Sequence, residues 1–327
     1  MIYILVIALL IASLILIGFT YKEHFNQETI QFLETNQICR VLKDVDFSYN
    51  KLDIHIRKIP KSYEKDIYKF YCDNLLTFST LDKKLLKWVI EGMRKKIPNR
   101  FRFILFNLRF AKYRDFIENG FPHTHKDVIF LSENFINKLL GFYNNNDLDG
   151  AIKGLGATII HEAVHILQRK NVNEFLDLYK NYWSFTKVDN IYNSKYLREK
   201  TRFNPDGPDT NWVFNMKGKH IYILSIYEED ANDIGEVNYV GYLLEKQNDN
   251  YIVPNGVKPI SITEIDEFTY FFKNLWGNHY HPNEISAELL SIFYLKLMKI
   301  SHDNYQNIGY NNMLIWLERN LNRFNKA

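Results

Sequence analysis

The sequence predicts an α+β domain carried behind an N-terminal transmembrane helix. Ile2 to Phe19 holds no charged residue, and at 1.5 Å per residue it spans about 27 Å, close to the ~30 Å hydrocarbon core of a bilayer. Beyond it, apolar residues recur at three- and four-residue spacing in several segments, which marks amphipathic helices. Short β-branched and aromatic runs of strand type alternate with those helices.

The apolar run reads as an uncleaved anchor, residues 1–21. No Lys or Arg precedes it, and Gly18-Phe19-Thr20 is a poor cleavage signal. Lys22, Arg40 and Lys43 follow it, and the positive-inside tendency therefore favours a cytoplasmic domain. Residues 22–100 read as a membrane-proximal helical region, with a short helix near Glu28–Lys43 and longer ones over Ser62–Phe78 and Leu81–Lys96. Residues 101–327 form the main domain. Within it Arg102–Asn107 and Asp127–Ser132 read as paired strands, Phe135–Phe142 as a helix, and Asn144–Gly150 as a loop before a strongly apolar helix. Residues 171–270 read as an insertion with a Phe203-Asn-Pro-Asp-Gly-Pro-Asp209 loop and strands at Trp212–Met216, His220–Tyr227 and Tyr239–Glu245. Helices over Asn283–Lys299 and Asn311–Asn322 end the chain.

Composition narrows the function. Net charge is +3, from 41 basic and 38 acidic residues spread along 327 positions, so no basic nucleic-acid patch stands out. Cys39 and Cys72 are too few for a disulfide framework or a thiolate metal site, and one bridge between them is left open.

The chemistry concentrates in Ala157-Thr-Ile-Ile-His161-Glu162-Ala-Val-His165-Ile-Leu-Gln168. Two histidines four apart share one helix face, about 6 Å between Cβ atoms, so both imidazoles reach one metal ion. Glu162 sits beside that face, placed to accept a proton from a zinc-bound water. The surrounding Ile159, Ile160, Val164 and Ile166 imply a buried helix, where such polar groups are costly without partners.

A zinc site of this kind needs a third protein ligand. Gln168 and Asn171 stand where the metzincin extension requires Gly and His, and no glutamate lies between Glu174 and Glu199. The remaining candidate is Tyr280-His281-Pro282-Asn283-Glu284-Ile285-Ser286-Ala287-Glu288. Pro282 and Asn283 suit a helix start. Glu284, with Glu288 as the alternative, then shares a face with small Ala287, which permits close approach to the histidine helix.

The pair ATIIHEAVHILQ and YHPNEISAELL resembles the gluzincin-type zinc metallopeptidases, over roughly residues 121–297. That resemblance implies a zincin-like catalytic domain, Zn²⁺ held by His161, His165 and Glu284, and hydrolysis of peptide substrates with Glu162 as base and then acid. It further implies that the strand Asp127–Ser132 is a free edge along the cleft, able to pair with an extended substrate. Tyr280 and His281 are possible transition-state donors. His123 and His125 flank the strand and read as solvated loop residues. The competing expectations are an inactive metal-binding relative and an anchored structural protein with an accidental motif.

Overall fold

The computed structural model describes residues 29–207, 209–248, 250–275, 280–301 and 305–325. The apolar run Ile2–Phe19 lies outside them, and among the described residues no helix is long and apolar enough to cross a membrane. The order is β1 (Ile30–Phe32), α1 (Thr35–Leu42), α2 (Lys51–Ile56), α3 (Ile67–Asp73), β2 (Leu75–Leu76), α4 (Thr80–Lys96) and β3 (Leu108–Tyr113). Then come β4 (His123–His125), β5 (Val128–Ser132), α5 (Glu133–Asn144) and α6 (Ala157–Lys170). The chain class is thus α+β, with helices gathered on one sheet.

Among the described residues that sheet has five strands, in the order β1-β3-β5-β4 with β2 on β3. The β1–β3 and β3–β5 pairs are parallel and β4–β5 is antiparallel. Three expectations change here. Arg102–Asn107 is not a strand: Asn99–Leu105 winds as a 3₁₀ helix after Pro98, burying Phe101, Phe103, Ile104 and Leu105. A run buried without alternation has no polar face to present, and the strand falls instead on Leu108–Tyr113, whose burial alternates in part. Asp127–Ser132 is not an edge, because β5 is flanked by β3 and β4. Of the expected membrane-proximal helical region 22–100, the described residues from 29 on also supply strands to the main sheet, since β1 and β2 both pair with β3.

Helix α3 is shorter than the predicted Ser62–Phe78 because Asp66 caps it at Lys69 N and the chain turns into β2 at Leu75. A disulfide joins Cys39 on α1 to Cys72 on α3, with 5.6 Å between the Cα atoms. The expected loop over Asn144–Gly150 closes early, when Asp147 accepts from Gly150 N and starts a helical turn. That turn passes through a π-helical stretch, Ile152–Gly156, directly into α6.

The insertion carries a second sheet: β6 (Phe185–Lys187), β7 (Ile191–Tyr192), β8 (Trp212–Met216), β9 (Lys219–Tyr227), β10 (Val237–Gln247), β11 (Asn250–Ile252) and β12 (Ile260–Ser261). Its order is β6-β8-β9-β10-β11-β7, with β12 on β10. Helices α7 (Asp266–Phe272), α8 (Pro282–Leu297) and α9 (Ile308–Phe324) follow. One apolar core joins α4, α6, α8, α9 and the inner faces of both sheets. Ile159, Ile160 and Val164 of α6 are fully buried in this core, as are Ala287 and Leu289 of α8. Each large aliphatic side chain so placed contributes about 1.5–3 kcal/mol. Ala287 lets the two helices approach closely, and Ser291 Oγ donates to the Ala157 carbonyl across the contact at 3.2 Å.

Candidate metal centre

Helix α6 presents His161 and His165 one turn apart, with ring centroids 4.8 Å from each other. His165 is almost wholly buried. Its Nδ1 lies 3.0 Å from Gln168 Oε1. The Gln168 amide is oriented by its other end, where Nε2 donates to the Asn283 carbonyl and to Ser286 Oγ, both at 2.8 Å. A carbonyl only accepts, so Nε2 faces it and Oε1 is left to accept from His165 Nδ1–H. His165 Nε2 therefore carries a lone pair, and it has no hydrogen-bond partner. Burial lowers the pKa of this imidazole, outweighing the carboxylates of Glu284 and Asp206, which raise it.

Helix α8 brings the carboxylates. His281 opens it by accepting from Asn283 N, with Pro282 in the first turn. Glu284 is buried, with Oε2 3.3 Å from His161 Nε2 and Oε1 3.7 Å from His165 Nε2. Glu288 lies one turn on and approaches the other nitrogen of His161, at 3.8 Å. Burial pulls the His161 pKa down, but the hydrogen bond and charge of Glu284, with Glu162 and Glu288, raise it to about 9. Glu284 is held well below the usual carboxylate range: burial opposes ionisation, and the two histidines and Asn204 overcome it.

Two further residues come from the insertion and were not singled out by sequence reasoning. Asn204 Nδ2 donates to Glu284 Oε1 at 2.7 Å. Asp206 accepts from Thr124 N at 2.8 Å and from the Thr124 hydroxyl. One oxygen each of Asp206 and Glu162 and one nitrogen of His165 lie within 4.8 Å of one another. The only signal in the sequence was the Asn-Pro-Asp-Gly-Pro-Asp run, whose turn chemistry accounts for it without a site. Glu162 is buried, and its Oε2 has no hydrogen-bond partner. Burial, then the nearby Asp206 charge, raises its pKa well above the ordinary value.

His161, Glu162 and Glu288 open onto a cavity of about 430 Å³ whose wall also includes His123, Arg202 and Asn204. The donor candidates divide. Both ring nitrogens of His281 are used, one by Asn283 N at 3.1 Å and the other by the Asp209 carbonyl at 2.7 Å. His281 is a helix cap and has no proton left for a ligand, which corrects the expectation. Tyr280 stacks on Tyr239 at 5.4 Å and its hydroxyl accepts from Asn204 at 3.0 Å. It supports the site through Asn204 and is absent from the cavity wall. His123 and His125, expected in solvent, are buried as β4, and His123 faces the cavity.

The donor set fits a divalent cation. One ligand atom each of His161, His165 and Glu284 lie within 4.8 Å of one another; Glu284 meets His161 through Oε2 at 3.3 Å and His165 through Oε1 at 3.7 Å, near the ~3.4 Å between donors of a tetrahedral ion. The lone pair of His165 facing a carboxylate is repulsive unless a cation lies between them. No family model, curated protein or solved structure matches the chain.

Proposed function

We propose that this chain is a membrane-anchored, zinc-dependent metallopeptidase of gluzincin type, with a zincin-like domain acting on peptide substrates. The observation that carries the reading is the convergence of His161, His165 and Glu284 around an unpaired His165 Nε2, with His161 and Glu162 on the wall of one cavity. His161, His165 and Glu284 would hold Zn²⁺. The ion supplies a Lewis acid that lowers the pKa of water towards ~7 and polarises a carbonyl.

The protein's own groups do the rest. Glu162 accepts the proton of the attacking water at its unpaired Oε2, as the water oxygen bonds to the peptide carbon. It returns that proton to the leaving nitrogen as the C–N bond breaks. Gln168 keeps the His165 lone pair directed inward, and Asn204 fixes the Glu284 carboxylate. Residues 2–19 tether the enzyme to a membrane.

The test is metal content and turnover of the purified full chain in detergent. Stoichiometric zinc is expected, lost in His161→Ala. Glu162→Gln should keep the metal while losing at least ~10² in turnover, the scale of a general base. Full activity in Glu162→Gln would rule out this mechanism.

A further inference from the structure

The sheet edge beside the centre is β4, and its outward groups are already taken. Thr124 N donates to Asp206 Oδ1 at 2.8 Å. The Lys126 carbonyl accepts from Arg169 at 3.1 Å, and the Thr124 carbonyl accepts from the same guanidinium at 3.4 Å. Pro122, just before the strand, has no N–H to offer. Within His123–His125 the outward N–H and carbonyl, both of Thr124, are thus committed, so pairing by strand addition there is closed.

Two further segments border the cavity, one from residue 203 on and one between β9 and β10. The segment covering the edge is pinned at its start, where Arg57 donates to the Phe203 carbonyl at 2.8 Å and Asp53 accepts from Phe203 N at 3.1 Å. The tip between β9 and β10 puts Ile234 and Gly235 on the cavity wall. Asn119 bonds Asp233 of that tip, and Arg202 donates to the Ile234 carbonyl at 3.2 Å. What remains is the cavity of about 430 Å³, in the lower part of the ~300–1,000 Å³ range of pockets that enclose small ligands.

We propose that the centre takes short peptides or the end of a chain, and not an internal stretch of an extended polypeptide. This rests on the metallopeptidase reading and specifies its substrate class. Recognition runs through the side chains and terminal groups that fit the cavity, because the main chain of a long substrate finds the outward groups of β4 already bonded.

The experiment uses the full chain in detergent, with zinc measured on the same sample. One probe is a mixture of tri- and tetrapeptides with free ends. The other is a set of end-blocked peptides of about twenty residues carrying the same bonds. Products are identified by mass spectrometry. Cleavage of the short set at least about tenfold faster per bond is expected. Equal or faster internal cleavage of the end-blocked set would overturn the proposal and leave the hydrolase reading standing. Full zinc content with neither set cleaved would overturn both, and lack of zinc would overturn the centre itself.

Discussion

Gln168 sets the proton of His165: its Oε1 lies 3.0 Å from His165 Nδ1, and its Nε2 is locked onto α8 through Asn283 and Ser286. One amide thus fixes the tautomer of His165 on α6 and ties it to the helix carrying Glu284. Tyr179 backs the same knot, its hydroxyl 3.0 Å from Asn283 Oδ1 and 2.9 Å from Ser286 Oγ.

Replacing Gln168 therefore tests positioning apart from bulk stability. Gln168→Leu should weaken zinc binding by about 10–100-fold, the usual cost of losing such a partner. Gln168→Glu, which still accepts from Nδ1–H but sets an oxygen against the Asn283 carbonyl, should fall between that variant and the parent. Nitrogen NMR of the metal-free protein should show His165 protonated at Nδ1 in the parent and redistributed towards Nε2 in Gln168→Leu. An unchanged tautomer would remove Gln168 from this role.

Glu284 and Glu288 should differ in kind. Glu284 faces both imidazoles, whereas Glu288 meets only the second nitrogen of His161. Glu284→Ala is expected to abolish stoichiometric zinc, and Glu288→Ala to weaken it about 10–100-fold. Equilibrium dialysis of the two variants decides it. The reverse pattern would move the ligand by one helical turn.

Metal and proton compete at His161. Without metal its pKa is raised to about 9, so at neutral pH the folded, unliganded protein carries a proton there that zinc must displace. Apparent affinity should rise about tenfold per unit between roughly pH 7 and 9 and then flatten. Chelator competition across that range measures it. A flat profile would mean that His161 is already neutral.

Acid should unfold the domain through Glu118. Burial raises the pKa of this carboxyl, but Arg57, then His123 and Tyr49, bring it down to about 2 from 4.5. A depressed folded pKa contributes stability above about 4.5, and that contribution is lost as pH falls towards 2. Glu118 also adopts a left-handed φ of 43°, a conformation that its ion pair with Arg57 at 3.0 Å helps to hold. Glu118→Gln leaves Arg57 with the Asp53 carboxylate but one anionic partner fewer and should cost about 3–5 kcal/mol at neutral pH. The same variant should lose much of the parent's acid sensitivity, as read by denaturant titration at several pH values.

The Cys39–Cys72 bridge bears on topology. Basic residues after the apolar run favour a cytoplasmic domain, but a disulfide persists in an oxidising compartment. We expect the domain on the oxidising side. Thiol alkylation of intact cells before and after reduction should label the pair only after reduction. The full chain should also stay with membranes after carbonate washing, while a chain starting at Lys22 should not.

The metal helix was legible because its logic is local. His161 and His165 lie four apart, and Glu284 and Glu288 repeat that spacing behind a Pro-Asn helix start. Sequence also placed α4 and the strands β8, β9 and β10 within a few residues. What escaped it was long-range. Asn204 and Asp206 reach Glu284 and Thr124 across 80 and 82 positions, and no local pattern encodes such a meeting. His123 and His125 read as solvated because a polar His-Thr-His triplet carries no strand signature. They are buried because both rings pack against Phe130 of β5 and Tyr71 of α3, with Tyr113 beside His123 and Phe47 beside His125. The edge assignment of β5 failed for the same reason: strand order belongs to the sheet and not to the strand.

The sealing of β4 has a consequence for how copies of this protein meet. An open strand edge is a template for any other chain, including a second copy, and proteins with such edges tend to associate at high concentration. Here Asp206, Arg169 and Pro122 blunt the edge from three directions. At high concentration, molecules built this way have no free ladder along β4 through which to zip together.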